Sequence, residues 1–574
     1  MDRSRKIAFC AIAAAGLATA CSNSSSSNGG GFAAPAAAPR YAVYLADQNV
    51  NGTNELYASL INDTPQPGTR INGALGVNQD VSQARFSPNG KFVAYRADET
   101  SDNIFELYLV NLSGNTPVAS VKINGALVTN GNVSSDFKWL SNSSGLVYRA
   151  DQDLDGQQEL YFVAVGGAAP AAAVKLNTAL PITASVSEFG IAANGAFVIA
   201  RADIDNNGDL ELYSISLASS PATPARLSAG VVANGDISSF SIAPNSMSVA
   251  FAGDKDTDTV VELYLVDLSG SNPGAPQKVN GTLVLNGDVT NSITTGYGFA
   301  PDSSAIIYRA DQVTDTRIEF FLAKIAGGTA TPPAVAISGS VPVGAIAQAF
   351  RFSPTEQKVV ISGDLVLDNN FELFLVDFSG AAPTAPVRVN GTFVAGQDIS
   401  PTSGNSAFQF TADGKKVVYV SDENNVNNIN ELFAVEVGTL GTSVRVSQAL
   451  ITGGNVSSFG MSGNTAIFLA DADIDQEFEL FLSDLTTGTP TPKQVNGPLV
   501  TGGSASEFSV SRDGKRLLYR AVQDSLGVTE AYVSAIDDPT PSAKVTKVSG
   551  TMILNGDAIS AQFSEFPTRT ITVP

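Results

Sequence analysis

The chain has 574 residues, with 33 lysines and arginines against 55 aspartates and glutamates and no histidine. A formal charge of −22 argues against nucleic acid and anionic membrane surfaces as partners and suits bound cations or a cationic partner. The missing imidazole excludes Ser-His-Asp and Cys-His catalysis and every histidine-ligated metal site.

At the N-terminus, Arg3, Arg5 and Lys6 precede an apolar run from Ile7 to Ala20, and Cys21 follows Leu17-Ala18-Thr19-Ala20. A charged start, a short apolar stretch and small residues before a cysteine read as a signal peptide over residues 1–20, too short to span a bilayer. Its end resembles the lipobox of bacterial lipoproteins, with Ala18 where that pattern prefers leucine. The resemblance implies a lipidated Cys21, loss of Cys10 with the signal, and a lipid anchor in the bacterial outer membrane. The protein would then be periplasmic or surface-exposed. Residues 21–40 are first serine, asparagine and glycine, then alanine and proline, the composition of a flexible tether.

From Tyr41 onward one unit recurs. Its clearest copy is Tyr148 to Tyr161, Y-R-A-D-Q-D-L-D-G-Q-Q-E-L-Y, and the glutamate returns at Glu55, Glu106, Glu159, Glu211, Glu262, Glu319, Glu372, Glu431, Glu479 and Glu530. Such a period marks a repeat architecture. In the unit from Ser82 to Asn124, Ala84 to Ser87 predicts strand A and Pro88-Asn89-Gly90 a turn. Lys91 to Ala97 predicts strand B, Phe105 to Asn111 strand C, and Val118 to Ile123 strand D before a turn at Asn124-Gly125. Four short antiparallel strands, repeated ten times, predict an all-β fold: a β-propeller of about ten four-stranded blades over residues 41–574. The first unit begins at a B-like strand, Tyr41 to Tyr44, and a surplus A-like piece, Ala561 to Ser564, ends the last. The C-terminal strand is therefore expected to complete the first blade and close the ring. Even spacing favours a single ring. Two longer steps, Glu262 to Glu319 and Glu372 to Glu431, keep two smaller tandem propellers as the alternative.

The string F-S-P-N-G-K-F-V-A-Y-R-A-D at Phe86 to Asp98, with E-L-Y-L-V-N-L at Glu106 to Leu112, resembles the repeat of TolB-like propellers. Partial copies stand at Phe352 to Pro354, Phe299 to Asp302, Thr411 to Tyr419 and Ser511 to Tyr519. The likeness implies a propeller from Tyr41 onward and leaves function open, since such propellers serve as binding platforms, periplasmic partners and peptidase domains.

The loop between strands B and C carries the chemistry. Asp151, Asp153, Asp155 and Glu159 stand at positions 1, 3, 5 and 9 with Gly156 at 6, the oxygen spacing a hard cation such as Ca2+ requires. Asp203, Asp205, Asn207 and Glu211 repeat it, as do Asp47, Asn49, Asn51 and Glu55. Asp254, Asp256, Asp258 and Glu262, and Asp471, Asp473, Asp475 and Glu479, keep the ligands without the glycine. The pattern resembles the calcium loops of integrin-type propellers. Against it stands the ordinary role of aspartate and asparagine in exposed turns, where they bond local backbone. Up-and-down strands would put these loops and the D-to-A loops, with Asp80, Asp236, Asp288, Asp398 and Asp557, on one acidic end of the ring. Arg96, Arg149, Arg201, Arg309 and Arg520, near the end of strand B, are expected to pair with the strand C glutamates.

The reading reached from sequence is a non-enzymatic, lipid-anchored propeller whose acidic face binds an envelope or surface protein or a glycan, with calcium in some loops. The alternatives are a carbohydrate-active enzyme built on a carboxylate pair, and a structural spacer.

Overall fold

The computed structural model describes residues 40–563, apart from short stretches at 63–64, 168, 206, 219, 271, 293–295, 340, 343, 367–369, 395, 401–406, 425–428 and 554. The expected signal peptide, Cys21 and nearly all of the tether lie outside the described residues.

Ten four-stranded antiparallel sheets follow one another along the chain. In the second blade, Val81–Phe86, Phe92–Ala97, Glu106–Asn111 and Val121–Lys122 pair in the order A, B, C, D. Strands B and C meet neighbouring blades on both faces, so runs such as Val93-Ala94-Tyr95 and Leu107-Tyr108-Leu109-Val110 are buried throughout instead of alternating. Strand D is shorter than its sequence suggests, because only two residues reach strand C and both lie exposed at the outer edge. Strand A opens on a recurrent bulge: Val81 faces Ala97 and Gln83 faces Arg96, which leaves Ser82 to donate its hydroxyl to the Arg96 carbonyl at 3.2 Å.

The core is not one mass but a ring of blade-to-blade clusters. One joins Tyr41, Val43 and Leu56 of the first blade to Val93, Tyr95 and Tyr108 of the second. The next joins Ala94 and Leu107 to Phe137 and Tyr148, and the series runs on to Leu480 with Tyr519 between the ninth and tenth. The last cluster sets Leu518 and Val533 of the tenth blade against Ala42, Tyr44 and Phe563 of the first. Within most blades an aromatic on B stacks on one from C, as Tyr44 does on Tyr57 with centroids 5.2 Å apart.

Closure follows the expected route. Ala558–Phe563 pairs with Tyr41–Ala46, so the chain's last described strand is strand A of its first blade. The two longer steps are inserts, not a domain junction. In the sixth blade Val289 bridges Ala310 and strand A resumes only at Tyr297–Phe299; in the eighth Ile399 bridges Ser421 and it resumes at Phe408–Phe410.

Candidate functional site: the loop face

Because A, B, C and D alternate in direction, the B-to-C and D-to-A loops share one end of the ring. Charge is segregated there by sequence: no lysine or arginine occurs in any D-to-A loop, and the B-to-C loops contain two, Lys255 and Arg317.

The first aspartate of a loop, absent only from the tenth, where Val522 stands, accepts backbone N–H groups. Asp151 is buried, and its two carboxylate oxygens accept the backbone N–H groups of Asn132 and Gly156, the latter at 3.0 Å. Asp47 does the same for Asp557 and Gly52, Asp254 for Asp236 and Thr259, and Asp471 for Asn455 and Gln476. Asp203 bonds the N–H groups of Asn207 and Gly208 within its own loop. Gly156 has φ +79, the left-handed turn that points its N–H back at the aspartate. The D-to-A aspartates continue the relay to the previous blade. Asp80 accepts the N–H of Asn54, Asp236 that of Leu210, Asp288 that of Val261, Asp398 that of Phe371 and Asp557 that of Thr529, all at 2.6–2.7 Å. These carboxylates bind neighbouring blades together.

Most strand C glutamates are buried and meet a cation that the sequence reading overlooked. Lys175 on strand D lies 2.5 Å from Glu159 and 2.9 Å from Asp153. Lys278 bridges Glu262 and Asp256 in the same way, at 2.7 and 3.1 Å. Arg226 contacts Glu211 and reaches Asp205 at 3.1 Å. In the first blade Arg70 pairs with Glu55 at 2.7 Å while Asn49 and Tyr57 donate to its other oxygen. An ammonium or guanidinium thus stands between positions 3 and 9 in three of the five proposed calcium loops. Burial opposes ionisation of Asp256, but hydrogen bonds from Lys255, Lys278 and Tyr264 outweigh it and hold the carboxyl at about 2. Positions 5, at Asn51, Asp155, Asn207, Asp258 and Asp475, are exposed at the loop tips.

Among the described residues one group brings three carboxylates together: ligand atoms of Asp203, Asp205 and Glu211 all lie within 4.8 Å of one another. Three carboxylate oxygens suit a hard cation, and burial together with the neighbouring Asp205 and Asp203 raises Glu211 above the ordinary carboxylate range despite Tyr213 and Arg226. The ninth blade differs. Gln494 takes the place of the strand D cation opposite Phe481, and burial raises Glu479 with help from Asp473, Glu477 and Asp471.

Two further contacts explain recurring strings within the repeat. The residue after the first aspartate, as Gln48, Gln152 or Gln312, accepts both a strand B tyrosine hydroxyl and a backbone N–H from the preceding blade, Gly550, Gly125 or Gly281. A Cβ at Gly125 would stand 2.9 Å from the Gln152 amide, so the Asn-Gly after strand D is a close approach as much as a turn. Its asparagine caps strand C: Asn124 accepts the N–H of Leu107.

The strand B arginines are structural, but their partners differ from those expected. Four of the five reach a carbonyl at the start of the next blade's strand A: Arg96 to Val133 at 2.6 Å, Arg149 to Val186 at 2.6 Å, Arg201 to Ile237 at 3.2 Å and Arg520 to Ala558 at 2.8 Å. The strand C glutamates are already taken by strand D, and the arginine side chain points toward strand A on the other side of B.

No protein-family model matches the chain, and no curated protein matches it. Among solved structures it is similar to a eukaryotic initiation factor at 9% identity and TM-score 0.44, over 80% of this chain and 96% of that one. It is also similar to Porphyromonas gingivalis dipeptidyl peptidase 4 at 12% identity and TM-score 0.46, over 81% of this chain and 59% of that one. A prolyl endopeptidase structure matches at 13% identity and TM-score 0.33, over 69% and 52%. The class of the protein rests on its own strand pairing: ten four-stranded blades, closed by the C-terminal strand, make it a ten-bladed β-propeller.

Proposed function

We propose that this propeller is a non-catalytic binding scaffold of the bacterial envelope, tethered by lipid on Cys21 and engaging a protein or glycan through its acidic loop face. The observation that carries this reading is the segregation of charge, with Lys255 and Arg317 the only basic residues in twenty loops that share one end of the ring. The cations near this face, Lys175, Arg226 and Lys278 among them, stand on strand D and not in the loops. The relay described above uses the first carboxylates for construction and leaves the loop tips exposed, Asp155 and Asp475 among them, while Asp153 and Asp205 are exposed beside Lys175 and Arg226. Calcium belongs to this reading as a weak ligand of the fourth-blade loop, where Asp203, Asp205 and Glu211 converge. Arg226 competes with it for Asp205 and Glu211.

Cys10 and Cys21 are the only cysteines, so a single cysteine placed on the body reports one position. Asp153→Cys and Asp205→Cys, carrying a thiol-linked photo-crosslinker, are expected to trap envelope components, whereas Ser113→Cys on the opposite end is not. Equal trapping at both ends would defeat the proposal. Cys21→Ser is expected to abolish incorporation of a fatty-acid label and to release the protein from the membrane fraction; unchanged labelling would remove the anchor.

A further inference from the structure

The loop face is not uniformly polar. Among the described residues, most of the large aliphatic side chains left exposed stand on its loop tips: Val77, Ile182 and Leu285 on D-to-A loops, at 82–86% exposure, and Val50, Leu154 and Leu526 on B-to-C loops. The opposite end shows Val118 and Met247. The remaining exposed aliphatics fall mainly on the short outer D strands, as Val121 and Val174 do. Turn chemistry does not call for an aliphatic side chain at these tips, and the exposed aliphatics are concentrated at this end over the opposite one.

The apolar tips and the carboxylates interleave. Val50 sits between Asn49 and Asn51, Leu154 between Asp153 and Asp155, and Ile474 between Asp473 and Asp475, so each apolar crest is flanked by polar or anionic groups. Between the loops of the second blade lies an open cleft of about 620 Å³, lined by Ala126, Leu127 and Val128 and by Asp102, with Glu106 at its base already paired to Lys122 at 2.8 Å.

We infer that this end of the ring docks a cationic amphipathic protein segment, one whose aliphatic side chains contact the crests and enter the inter-loop clefts while lysines or arginines meet the intervening carboxylates. The inference rests on the binding-scaffold reading and specifies the partner's chemistry. Charge complementarity selects the occupant. An anionic membrane would be repelled by loops that contain almost no basic residue, a zwitterionic one would leave the carboxylates buried without partners, and a purely polar cationic chain would leave the crests in water.

The test uses the folded chain and labelled synthetic helices read by fluorescence anisotropy. A leucine–lysine amphipathic peptide is expected to bind, and a serine–lysine peptide of equal charge to bind at least about tenfold more weakly. The triple variant Val77→Ser, Ile182→Ser, Leu285→Ser is expected to lose about tenfold in affinity for the leucine–lysine peptide. Val118→Ser with Met247→Ser, on the opposite end, is expected to leave it unchanged. Circular dichroism and melting confirm that each variant is folded, and Val50→Ser with Leu526→Ser supplies a second loop set. Equal affinity for the two peptides, or an unchanged triple variant, overturns the inference while the acidic-face reading stands. Failure of both peptides to bind overturns the inference, and photo-crosslinking that is equal at both ends of the ring overturns the binding-scaffold reading as well. Binding of phosphatidylcholine vesicles in place of peptide would show a lipid surface to be the true occupant and would likewise overturn it.

Discussion

Asp557 donates its backbone N–H to the carboxylate of Asp47, while Asp47 returns its own N–H to the Asp557 carbonyl at 3.2 Å. These two residues lie at opposite ends of the described chain and carry the seam of the ring. The Asp557 carboxylate also accepts the N–H of Thr529 from the tenth blade at 2.6 Å, so one residue ties three segments through its backbone and side chain. Asp47→Ala strips acceptors from Asp557 and Gly52 at once. It is expected to cost about 2 to 3 kcal/mol, measured by chemical denaturation, since each orphaned backbone donor costs about 1 kcal/mol or more. A loss below about 0.5 kcal/mol, the scale of an ordinary surface change, would show that water replaces the carboxylate without penalty.

The seam makes a second forecast. A chain ending at Gly556 keeps Tyr41–Ala46 as an unpaired edge and loses Phe563 from the cluster that also holds Tyr44 and Leu518. Exposed edges template association. The truncated protein is expected to form dimers or larger species in size-exclusion chromatography at concentrations where the full chain is monodisperse. A well-behaved monomer with unchanged melting would mean that strand A of the first blade is dispensable.

Glu99 occupies the place that Gln48, Gln152 and Gln312 hold in other blades, accepting the Tyr95 hydroxyl and the Gly73 N–H, each at 2.7 Å. A neutral amide oxygen meets the same donors. Burial raises the Glu99 carboxyl above its ordinary value, Glu106 adds to the rise, and Tyr95, Gly73 and Arg70 oppose it. A carboxyl with a raised folded-state value holds its proton more tightly in the native state. Stability therefore falls as pH rises from the ordinary carboxylate value through the raised one, and the full cost persists at neutral pH. Glu99→Gln is expected to raise the stability of the protein at pH 7, with the gain vanishing in acid where the carboxyl is protonated in both states. A variant equal to or less stable than the parent at pH 7 would refute this.

Much of this was legible before any coordinates, and the failures share one cause. The strands of Tyr148 to Tyr161, the ring and its closure follow from periodicity, because each blade is built from local hairpins with the same alternation of turn and apolar run. Partnerships between blades were not legible. Arg149 bonds Val186 and Asp151 bonds Asn132, contacts fixed by how one sheet stacks on the next, which the spacing of residues within a unit does not encode. The strand D cation was missed for a related reason: Lys175 and Glu159 lie 16 residues apart and meet only through the register Tyr161 to Lys175. A cation recurring opposite the C-strand aromatic, as Arg70, Lys122, Arg226 and Lys278, was the available signal.

Arg149→Met keeps the apolar stem and removes the donor to Val186, and it also leaves Asp136, 3.6 Å away, with Lys138 alone. The guanidinium is more than half buried between blades, so the expected loss is about 1 to 3 kcal/mol. Arg149→Lys is expected to recover little of it, because an ammonium lacks the planar fork that bonds Val186 and Ser134 together. Full rescue by lysine would indicate that charge alone matters.

Arg226 and calcium should exclude each other, since the guanidinium already contacts Asp205 and Glu211, two of the three carboxylates that converge in the fourth blade. Arg226→Gln leaves Glu211 fully buried without its cation. Allowing for the partial exposure of Arg226, this is expected to cost about 1 to 3 kcal/mol in chelator. The same variant opens the site to Ca2+, and at a concentration tenfold above the dissociation constant binding returns about 1.4 kcal/mol. Thermal melts with and without calcium should therefore show the variant gaining more from the ion than the parent does, with the rise saturating as one site fills. A variant that ignores calcium would show that Asp203, Asp205 and Glu211 form an ion-pair cluster and nothing more. A parent as responsive as the variant would show that the guanidinium does not guard the site.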